Sequence, residues 1–362
     1  MPKSSKKSAL EEKEGVSAND LSNFKAIQNI KTKRKQNPST KTIISGILKG
    51  NITALSQAIT LIESSNPTHL KQANQIIQAC LPYANNSVRL GITGVPGVGK
   101  STFIEVLGLR LIANNKKVAV LAVDPTSSLS KGSILGDKTR MEDLVKSEGA
   151  FIRPSASGST LGGVARKTRE TIILCEAAGF NSIIIETVGV GQSETAVHGM
   201  VDFFLLLKLA GAGDELQGIK RGIIEMADAI AINKSDGENL KAAKLAKVEF
   251  NRALHLYPKK PSEWHPKVTL CSALNNEGIE EVWHLIKDYL KTTKANGFFQ
   301  SNRISQNKYW LLQTIEDRLK SDFFNSPKIK AELKHQFHLI ENGQTTPFVA
   351  AEYLLQLRNS ED

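Results

Sequence analysis

The chain has 362 residues, of which 40% are hydrophobic and 23% are charged, and its formal net charge is +11. These values are close to globular averages and exclude a fibrous or largely disordered chain. No apolar run approaches the roughly 20 residues that span a bilayer, and the three cysteines form neither a CxxC pair nor a disulfide framework. We therefore expect a cytoplasmic protein with two domains, or with one large domain and appendages.

The first 45 residues are strongly basic, with ten Lys or Arg against four Asp or Glu. Such a stretch can contact nucleic acid or anionic lipid. It lacks interleaved aromatic residues and continuous helical patterning, which are the features that would favour those partners. We interpret residues 1–40 as a disordered, solvated tail and expect neither a nucleic-acid nor a membrane partner.

Residues 41–86 are predicted to form an N-terminal extension of short helices. Asn51 can cap an amphipathic helix, since an Asn side chain accepts from the first free backbone N–H groups. Asn66 followed by Pro67 is a second start signal, because Pro is favoured at the first helical position.

Residues 87–294 alternate between short runs rich in Val, Ile and Leu and helical segments. Most of these runs are apolar at consecutive positions, which is typical of strands buried on both faces. Helices between such strands form βαβ crossovers, so this region predicts an α/β domain with a mainly parallel sheet. The predicted strands are Val88–Ile92, Val118–Val123, Ser182–Thr187, Phe203–Leu209, Ala229–Asn233 and Val268–Cys271.

The C-terminal region, residues 295–362, has helical periodicity and no strand pattern. A helix over 277–293 precedes it, and further helices are predicted over 304–322, 328–342 and 347–358. A helical arm of this kind cannot bury its apolar face alone. We therefore expect it to pack on the chain's own core or on another subunit.

A phosphate-binding pattern, G-x-x-x-x-G-K-[ST], follows the first predicted strand. Its glycines let backbone N–H groups turn toward phosphate oxygens, and the N-terminus of the next helix adds its positive dipole end. Lys100 is expected to reach the β- and γ-phosphates and Ser101 to bind Mg²⁺. The predicted nucleotide-binding residues here are Gly94, Val95, Pro96, Gly97, Val98, Gly99, Lys100, Ser101 and Thr102.

Asn233, Lys234 and Asp236 form an N-K-x-D pattern directly after a predicted strand. The carboxylate of Asp236 can accept from guanine N1–H and N2–H together, whereas adenine offers no such pair of donors. Because ATP would leave this carboxylate unpaired, we expect guanine to be selected. Lys234 is expected to lie along the base plane and Asn233 to tie the loops together.

A second guanine signal lies at the end of the last predicted strand. Ser272, Ala273 and Leu274 resemble the Ser-Ala loop that offers backbone N–H groups to guanine O6. N-K-x-D alone is a weak pattern, but here it stands between a phosphate loop and this loop. The sequence therefore predicts a GTP/GDP site.

Acidic residues near strand ends predict a Mg²⁺ site. Glu186 and Gly189 occupy the place of the D-x-x-G segment of GTPases, with Glu instead of Asp. We expect Gly189 to donate its N–H to the γ-phosphate and Glu186 to act near Mg²⁺ through water. Asp124 and Asp137 are further candidates, since carboxylates at strand ends suit Mg²⁺ or its water shell, although both can also be loop acids that cap turns.

Two features near these acids bear on the rate of hydrolysis. Ras-like GTPases carry a water-positioning Gln directly after the glycine of D-x-x-G, whereas this chain has Val190, which has no polar side-chain atom. We therefore expect intrinsic hydrolysis to be slow without a partner. The glycine-rich segment 211–220 is either a mobile switch or a plain strand-to-helix loop.

Several long blocks resemble the MeaB/ArgK family, the GTPases associated with methylmalonyl-CoA mutase. These blocks are far more specific than the phosphate loop, and the likeness covers about residues 45–290. The matching blocks are Gly91–Thr102, Val123–Pro125, Gly132–Asp137, Phe151–Ser155, Leu161–Glu170, Glu186–Glu194 and Gly213–Gly222.

The resemblance implies a P-loop NTPase G domain, flanked by N-terminal helices and a C-terminal helical arm that forms a homodimer. It also implies a chaperone that protects, reactivates or gates cofactor loading of an adenosylcobalamin-dependent mutase. In that family the acids matching Asp124, Asp137 and Glu186 serve Mg²⁺ and catalysis. The segment matching Asp214–Lys220 is a third switch whose lysine approaches the nucleotide, so Lys220 joins Lys100, Asp137 and Glu186 as a catalytic candidate.

Three other interpretations stay open at this stage. A P-loop kinase acting on a small molecule or protein would need an acceptor pocket and a base, for which we see no motif. A nickel-insertion GTPase would need Cys/His loops, whereas His335 and His338 are the only close pair and are interpreted as helix-surface residues. A nucleotide-gated scaffold would differ from the chaperone only in turnover.

Overall fold

The computed structural model describes residues 38–64, 66–123, 140–154, 161–187, 192–211 and 221–359. Most of the tail predicted for residues 1–40 lies outside these ranges. So do four predicted site residues, Asp124, Asp137, Gly189 and Lys220, and nearly all of the segment predicted as a switch or loop.

The described residues contain seven strands that form one parallel sheet. Its order is β3-β2-β4-β1-β5-β6-β7, and every neighbouring pair is parallel. Helical crossovers connect such strands, as the α/β class predicted from the sequence requires. The strands are β1 (Val88–Gly94), β2 (Val118–Val123), β3 (Ala150–Arg153), β4 (Ser182–Thr187), β5 (Phe203–Leu209), β6 (Ala229–Asn233) and β7 (Lys267–Leu270).

Four of the six predicted strands, β2, β4, β5 and β6, have the predicted bounds. The first strand runs further than predicted, to Gly94, and the last is Lys267–Leu270, one residue earlier than predicted. The sequence pattern missed β3. This strand has four residues at the edge of the sheet, and only Phe151 among them is buried, so the continuous apolar run that marks the other strands is absent.

Helices flank the sheet on both faces, and Asn51 and Asn66 cap two of them as predicted. The predicted arm helix over 304–322 is longer in the structure, a 28-residue helix that begins at Phe298. The helices within the described ranges are α1 (Thr40–Leu48), α2 (Ile52–Glu63), α3 (Pro67–Cys80), α4 (Lys100–Ala113), α5 (Glu142–Lys146), α6 (Leu161–Ala177), α7 (Gln192–His198), α8 (Arg221–Met226), α9 (Asn239–Leu254), α10 (Ile279–Ala295), α11 (Phe298–Asn325), α12 (Pro327–Glu341) and α13 (Pro347–Asn359).

The apolar residues of the strands divide between the two faces of the sheet. In β4, Ile183 and Ile185 pack with α6 and the N-terminal helices, whereas Ile184 packs with α4 and α10. This division follows from the two-residue period of a strand, which turns successive side chains to opposite faces. Helices α1 to α3 therefore share a hydrophobic core with the sheet.

Buried ion pairs fasten the amino ends of the strands to the surrounding helices. The Arg89 guanidinium lies 2.9 Å from the Glu176 carboxylate. The Arg303 guanidinium on α11 lies 2.6 Å from the Asp202 carboxylate and donates to the Ser87 carbonyl at 2.8 Å. The first part of the arm is thereby held on the sheet domain. Within the described residues, none of the helices has the length and apolar character needed to cross a bilayer.

Candidate nucleotide-binding site

The predicted nucleotide-binding elements meet at the carboxyl-end edge of the sheet. Strand β1 ends at Gly94, β4 ends at Thr187, and β6 ends at Asn233, and the β7 strand leads into Cys271 at the same edge. Parallel strands bring their carboxyl ends together, and ligands of open α/β sheets bind in the crevice outside those ends.

Glycine is required at two positions of the phosphate loop. Gly99 has φ +91°, and a Cβ atom there would lie 2.8 Å from the side-chain nitrogen of Asn233. A Cβ atom on Gly94 would lie 2.6 Å from the carbonyl oxygen of Leu207. The loop then passes into the 14-residue helix α4 at Lys100, so free backbone N–H groups point toward the crevice.

Lys100 folds back onto its own loop. Its ammonium donates to the Gly94 carbonyl at 2.7 Å and to the Val95 carbonyl at 3.3 Å. Burial lowers the pKa of Lys100 from its ordinary value, and the carboxylates of Glu186 and Glu194 act in the opposite direction. A cation held by carbonyl dipoles in a partly dry site is suited to exchange these partners for phosphate oxygens.

Asn233 joins the phosphate loop to the predicted base-binding loop. Its side-chain nitrogen donates to the Val98 carbonyl at 2.8 Å, and its side-chain oxygen accepts from the Ala273 N–H at 3.0 Å. Asn233 is buried, so both bonds are shielded from water. The phosphate loop, the end of β6 and the predicted base-binding loop therefore form one hydrogen-bonded unit.

The predicted base pocket is assembled around Asp236. One carboxylate oxygen of Asp236 accepts a hydrogen bond from the Ser272 hydroxyl. The Ser272 backbone is fixed by paired hydrogen bonds with Glu277, at 2.9 and 3.0 Å. Asp236 is half-buried and Lys234 is exposed, with Lys234 at φ +55°. A turn residue with positive φ directs its side chain out of the regular strand path.

Only part of the predicted amide set is available for guanine O6. The Ala273 N–H is already engaged by Asn233. In the described part of the chain the Leu274 N–H makes no hydrogen bond, and the Leu274 side chain is 85% exposed. The Ala273 amide therefore holds the loop, and the Leu274 amide is the one of the two that stays available.

Residues 55–328 match the family described as methylmalonyl Co-A mutase-associated GTPase MeaB. The chain belongs to the MeaB family. This confirms the family predicted from the sequence blocks, and with it a GTPase that binds guanine nucleotides.

Curated relatives and a solved structure agree with the MeaB assignment. The Escherichia coli protein named GTPase ArgK is 46% identical over 299 residues, which cover 83% of this chain and 90% of that protein. The mouse protein named methylmalonic aciduria type A homolog, mitochondrial, is 42% identical over 324 residues, covering 87% and 78%. A crystal structure described as LAO/AO transport system kinase aligns with a TM-score of 0.72 and 38% identity over 88% of this chain and 97% of that one.

The described MeaB-family site offers oxygen donors that fit Mg²⁺. Ser101 is the second residue of α4, beside the phosphate loop, and Glu186 lies near the carboxyl end of β4. Mg²⁺ prefers oxygen ligands and usually combines one or two protein groups with phosphate oxygens and water. The described residues hold no group of three His, Cys, Asp or Glu side chains that would bind a metal alone. His335 and His338 are both exposed on α12, as predicted.

Two features of this MeaB-family site were missed by sequence reasoning. Glu194 on α7 is fully buried, accepts from the Ser193 hydroxyl at 3.2 Å and acts electrostatically on Lys100. Glu194 is the last residue of the Glu186–Glu194 sequence block, and its place in that block could have indicated its role. The hydroxyl of Thr187 donates to that of Thr93 at 2.7 Å and joins the end of β4 to β1 just before the phosphate loop. A lone Thr in an apolar strand gives no such signal.

Proposed function

We propose that this chain is a nucleotide-operated chaperone of an adenosylcobalamin-dependent methylmalonyl-CoA mutase and acts in the cytoplasm. It binds GTP with Mg²⁺, hydrolyses it slowly without a partner, and changes its affinity for the mutase as the nucleotide changes. The proposal rests on the family match over residues 55–328, whose description names both a GTPase and this mutase.

The predicted site residues have defined roles in this proposal. Lys100 and the phosphate-loop amides hold the β- and γ-phosphates, and Asp236 selects guanine. Ser101, Glu186, Asp124 and Asp137 hold Mg²⁺ directly or through water, and the bound ion neutralises charge at the phosphates. Asp137, Glu186 and Lys220 assist hydrolysis together with Lys100, and Gly189 donates its N–H to the γ-phosphate. The absence of a polar side chain at Val190 keeps unaided turnover slow.

A series of contacts supports nucleotide-dependent control of the arm. Glu194, which acts on Lys100, lies on α7, and this helix leads directly to Gly199. The Gly199 carbonyl accepts from the Trp310 indole of α11 at 2.8 Å and from Arg169 at 3.1 Å. A displacement of α7 that follows the γ-phosphate would therefore reach the arm.

The outer face of α11 supports a homodimer. Leu312, Ile315 and Leu319 lie on one side of the helix, away from the sheet domain, and are 61%, 47% and 65% exposed. Their spacing of three and four residues forms an apolar stripe that a second copy can cover. Sedimentation analysis should give a dimer for the wild type and a monomer for Leu312→Glu combined with Leu319→Glu. The matched control is Leu245→Glu on α9, where the leucine is 62% exposed but stands outside the stripe. A dimer in the double variant contradicts this part of the proposal.

The chaperone role is tested by titrating the purified chain with the mutase in the presence of GDP or a non-hydrolysable GTP analogue. We expect about a tenfold or larger difference in affinity between the two nucleotides, equivalent to about 1.4 kcal/mol of coupling. Asp236→Asn should abolish this dependence on guanine nucleotides. Equal affinity with both nucleotides contradicts the role.

The kinase interpretation is distinguished by following the γ-phosphate. GTP labelled in its γ-phosphate serves as the substrate. Transfer of the label to an amino acid or protein, instead of its release as inorganic phosphate, would favour a kinase over a hydrolase. Stoichiometric nickel binding by the purified chain would likewise favour a nickel-insertion GTPase.

A further inference from the structure

A cavity of about 790 Å³ lies at the amino-end edge of the sheet. Asp202 and Asp228, which precede β5 and β6, line its inner side, and residues 257–262 and 264–266 line its outer side. The phosphate loop lies at the opposite ends of the same parallel strands. Strands of five to seven residues separate the two places by roughly 20 Å. The cavity is therefore distinct from the nucleotide site.

Several aromatic side chains line this cavity, and contacts with their neighbours hold them in place. Trp264 packs edge-to-face on Tyr289 with ring centroids 5.5 Å apart, and the indole donates to the Asp228 carbonyl at 2.9 Å. Phe204 packs edge-to-face on His198 at 5.6 Å, and Phe298 lines the same space. Cavities of about 300–1,000 Å³ with apolar, aromatic walls are typical of small-molecule sites.

The charged groups inside the cavity neutralise one another. The Lys260 ammonium donates hydrogen bonds to the Met226 carbonyl at 2.9 Å, the Ala227 carbonyl at 2.7 Å and the Asp228 carboxylate at 2.9 Å. The second oxygen of Asp228 accepts from the Phe204 N–H at 3.0 Å. Asp202 is likewise engaged by an arginine of α11. An ionised ligand would lose its hydration here without gaining a counter-charge, which is costly.

His198 is a polar group of the lining whose ring nitrogens remain available. Burial lowers the pKa of its imidazole; the Asp228 carboxylate opposes this shift and Lys260 supports it. Among the described residues, neither ring nitrogen of His198 takes part in a hydrogen bond. A neutral imidazole provides one donor and one acceptor. His198 therefore gives the cavity a neutral donor and acceptor, beside the uncharged polar side chains of Tyr257, Ser262 and Asn302, which also line it.

We propose that this cavity binds an uncharged aromatic small molecule, packed against Phe298 and hydrogen-bonded by His198. Other titratable side chains of the lining, including Glu225, His255, Lys259 and His265, are exposed to solvent, in contrast to the buried Asp202 and Asp228. The proposal is independent of the mutase, since it depends on the opposite edge of the sheet.

The test uses 5-fluoroindole as the probe and follows its ¹⁹F resonance while the full chain is added. We expect saturable binding that saturating GDP leaves unchanged. The charged analogues 5-fluorotryptamine and 5-fluoroindole-3-acetate carry the same ring and should bind at least about tenfold more weakly. Absence of saturable binding, displacement of the probe by GDP, or equal binding of all three compounds overturns the proposal.

Two variants locate the probe. Gly222 lines the cavity, and a Cβ atom there would meet nothing within 4 Å, so Gly222→Trp can fill the space, whereas Gly222→Ala is the matched control. His198→Phe keeps the ring that packs on Phe204 and removes the hydrogen bond. We expect about tenfold or greater weakening in Gly222→Trp and His198→Phe and little change in Gly222→Ala. Circular dichroism verifies folding, and if the tryptophan variant fails to fold, His198→Phe decides. Unchanged affinity in the folded variants overturns the proposal.

Discussion

At the carboxyl ends of the strands, Lys100 donates to carbonyls of its own loop and Asp236 is held by one serine hydroxyl. At the amino ends, Arg89 and Arg303 are buried in ion pairs with Glu176 and Asp202 and have further hydrogen bonds to the backbone or to neighbouring side chains. Both edges belong to the same parallel sheet.

The two edges differ in how easily the partners of their charged side chains can be replaced. A ligand can take the place of the loop carbonyls that hold Lys100, because they are part of a glycine-rich turn. The arginine pairs at the other edge are shielded from water, and breaking one leaves a buried charge. The site around Lys100 is therefore suited to exchange its partners for a ligand, whereas the buried arginine pairs at the amino-end edge hold the helices and the arm in place.

The largest expected effect is at Lys100. Lys100→Ala should reduce GTP turnover by about 10³-fold or more, since a charge that stabilises the transferring phosphoryl group is removed. Folding stability should change little, because burial already lowers the pKa of this lysine and so disfavours its charged form. Phosphate release and chemical denaturation measure the two effects. The exposed Lys244→Ala serves as the control, and a comparable loss of turnover in both variants would contradict the assignment.

The next effect belongs to the amino-end edge. Arg303→Met should lower the free energy of unfolding by about 3–5 kcal/mol, since Asp202 is left buried with its charge uncompensated. GTP turnover per folded molecule should remain close to that of the wild type. Arg318→Met removes an exposed pair with Asp322 and should have a much smaller effect. Equal destabilisation by the two arginine variants would remove the contrast between buried and exposed pairs.

The smallest effect concerns the two threonines below the phosphate loop. Thr187→Val should cost about 1–3 kcal/mol of folding stability because the buried Thr93 hydroxyl loses its partner. Adding Thr93→Val to this variant should lower the free energy of unfolding by less than Thr187→Val does alone, since no buried hydroxyl is then left without a partner. A double-mutant cycle by chemical denaturation measures this coupling. Strict additivity would show that the hydroxyls do not stabilise one another.

Most of the parallel sheet could be predicted from the sequence because buried strands are continuous apolar runs. Strand β3 could not, since its short edge position leaves it without that run. The phosphate loop and N-K-x-D were recognisable because their spacing is fixed by the nucleotide. The dual role of Asn233 was anticipated only in outline. Other features depend on contacts between residues distant in the chain, which motif spacing does not encode. These are the hydrogen bond of the Ala273 amide to Asn233, the buried carboxylate of Glu194 and the cavity beside Asp228.

The central claim is that Asp236 reads the guanine base at the edge where Asn233 joins the phosphate and base loops. The direct measurement is calorimetric titration of the wild type and Asp236→Asn with GDP, ADP and xanthosine diphosphate. An asparagine replaces one acceptor by a donor, so it suits the xanthine carbonyl instead of the guanine amino group. The account predicts that the wild type prefers GDP over both others by about 10²-fold or more and that the variant prefers xanthosine diphosphate. Equal affinity of the wild type for GDP and ADP, or an unchanged preference for GDP in the variant, would contradict it.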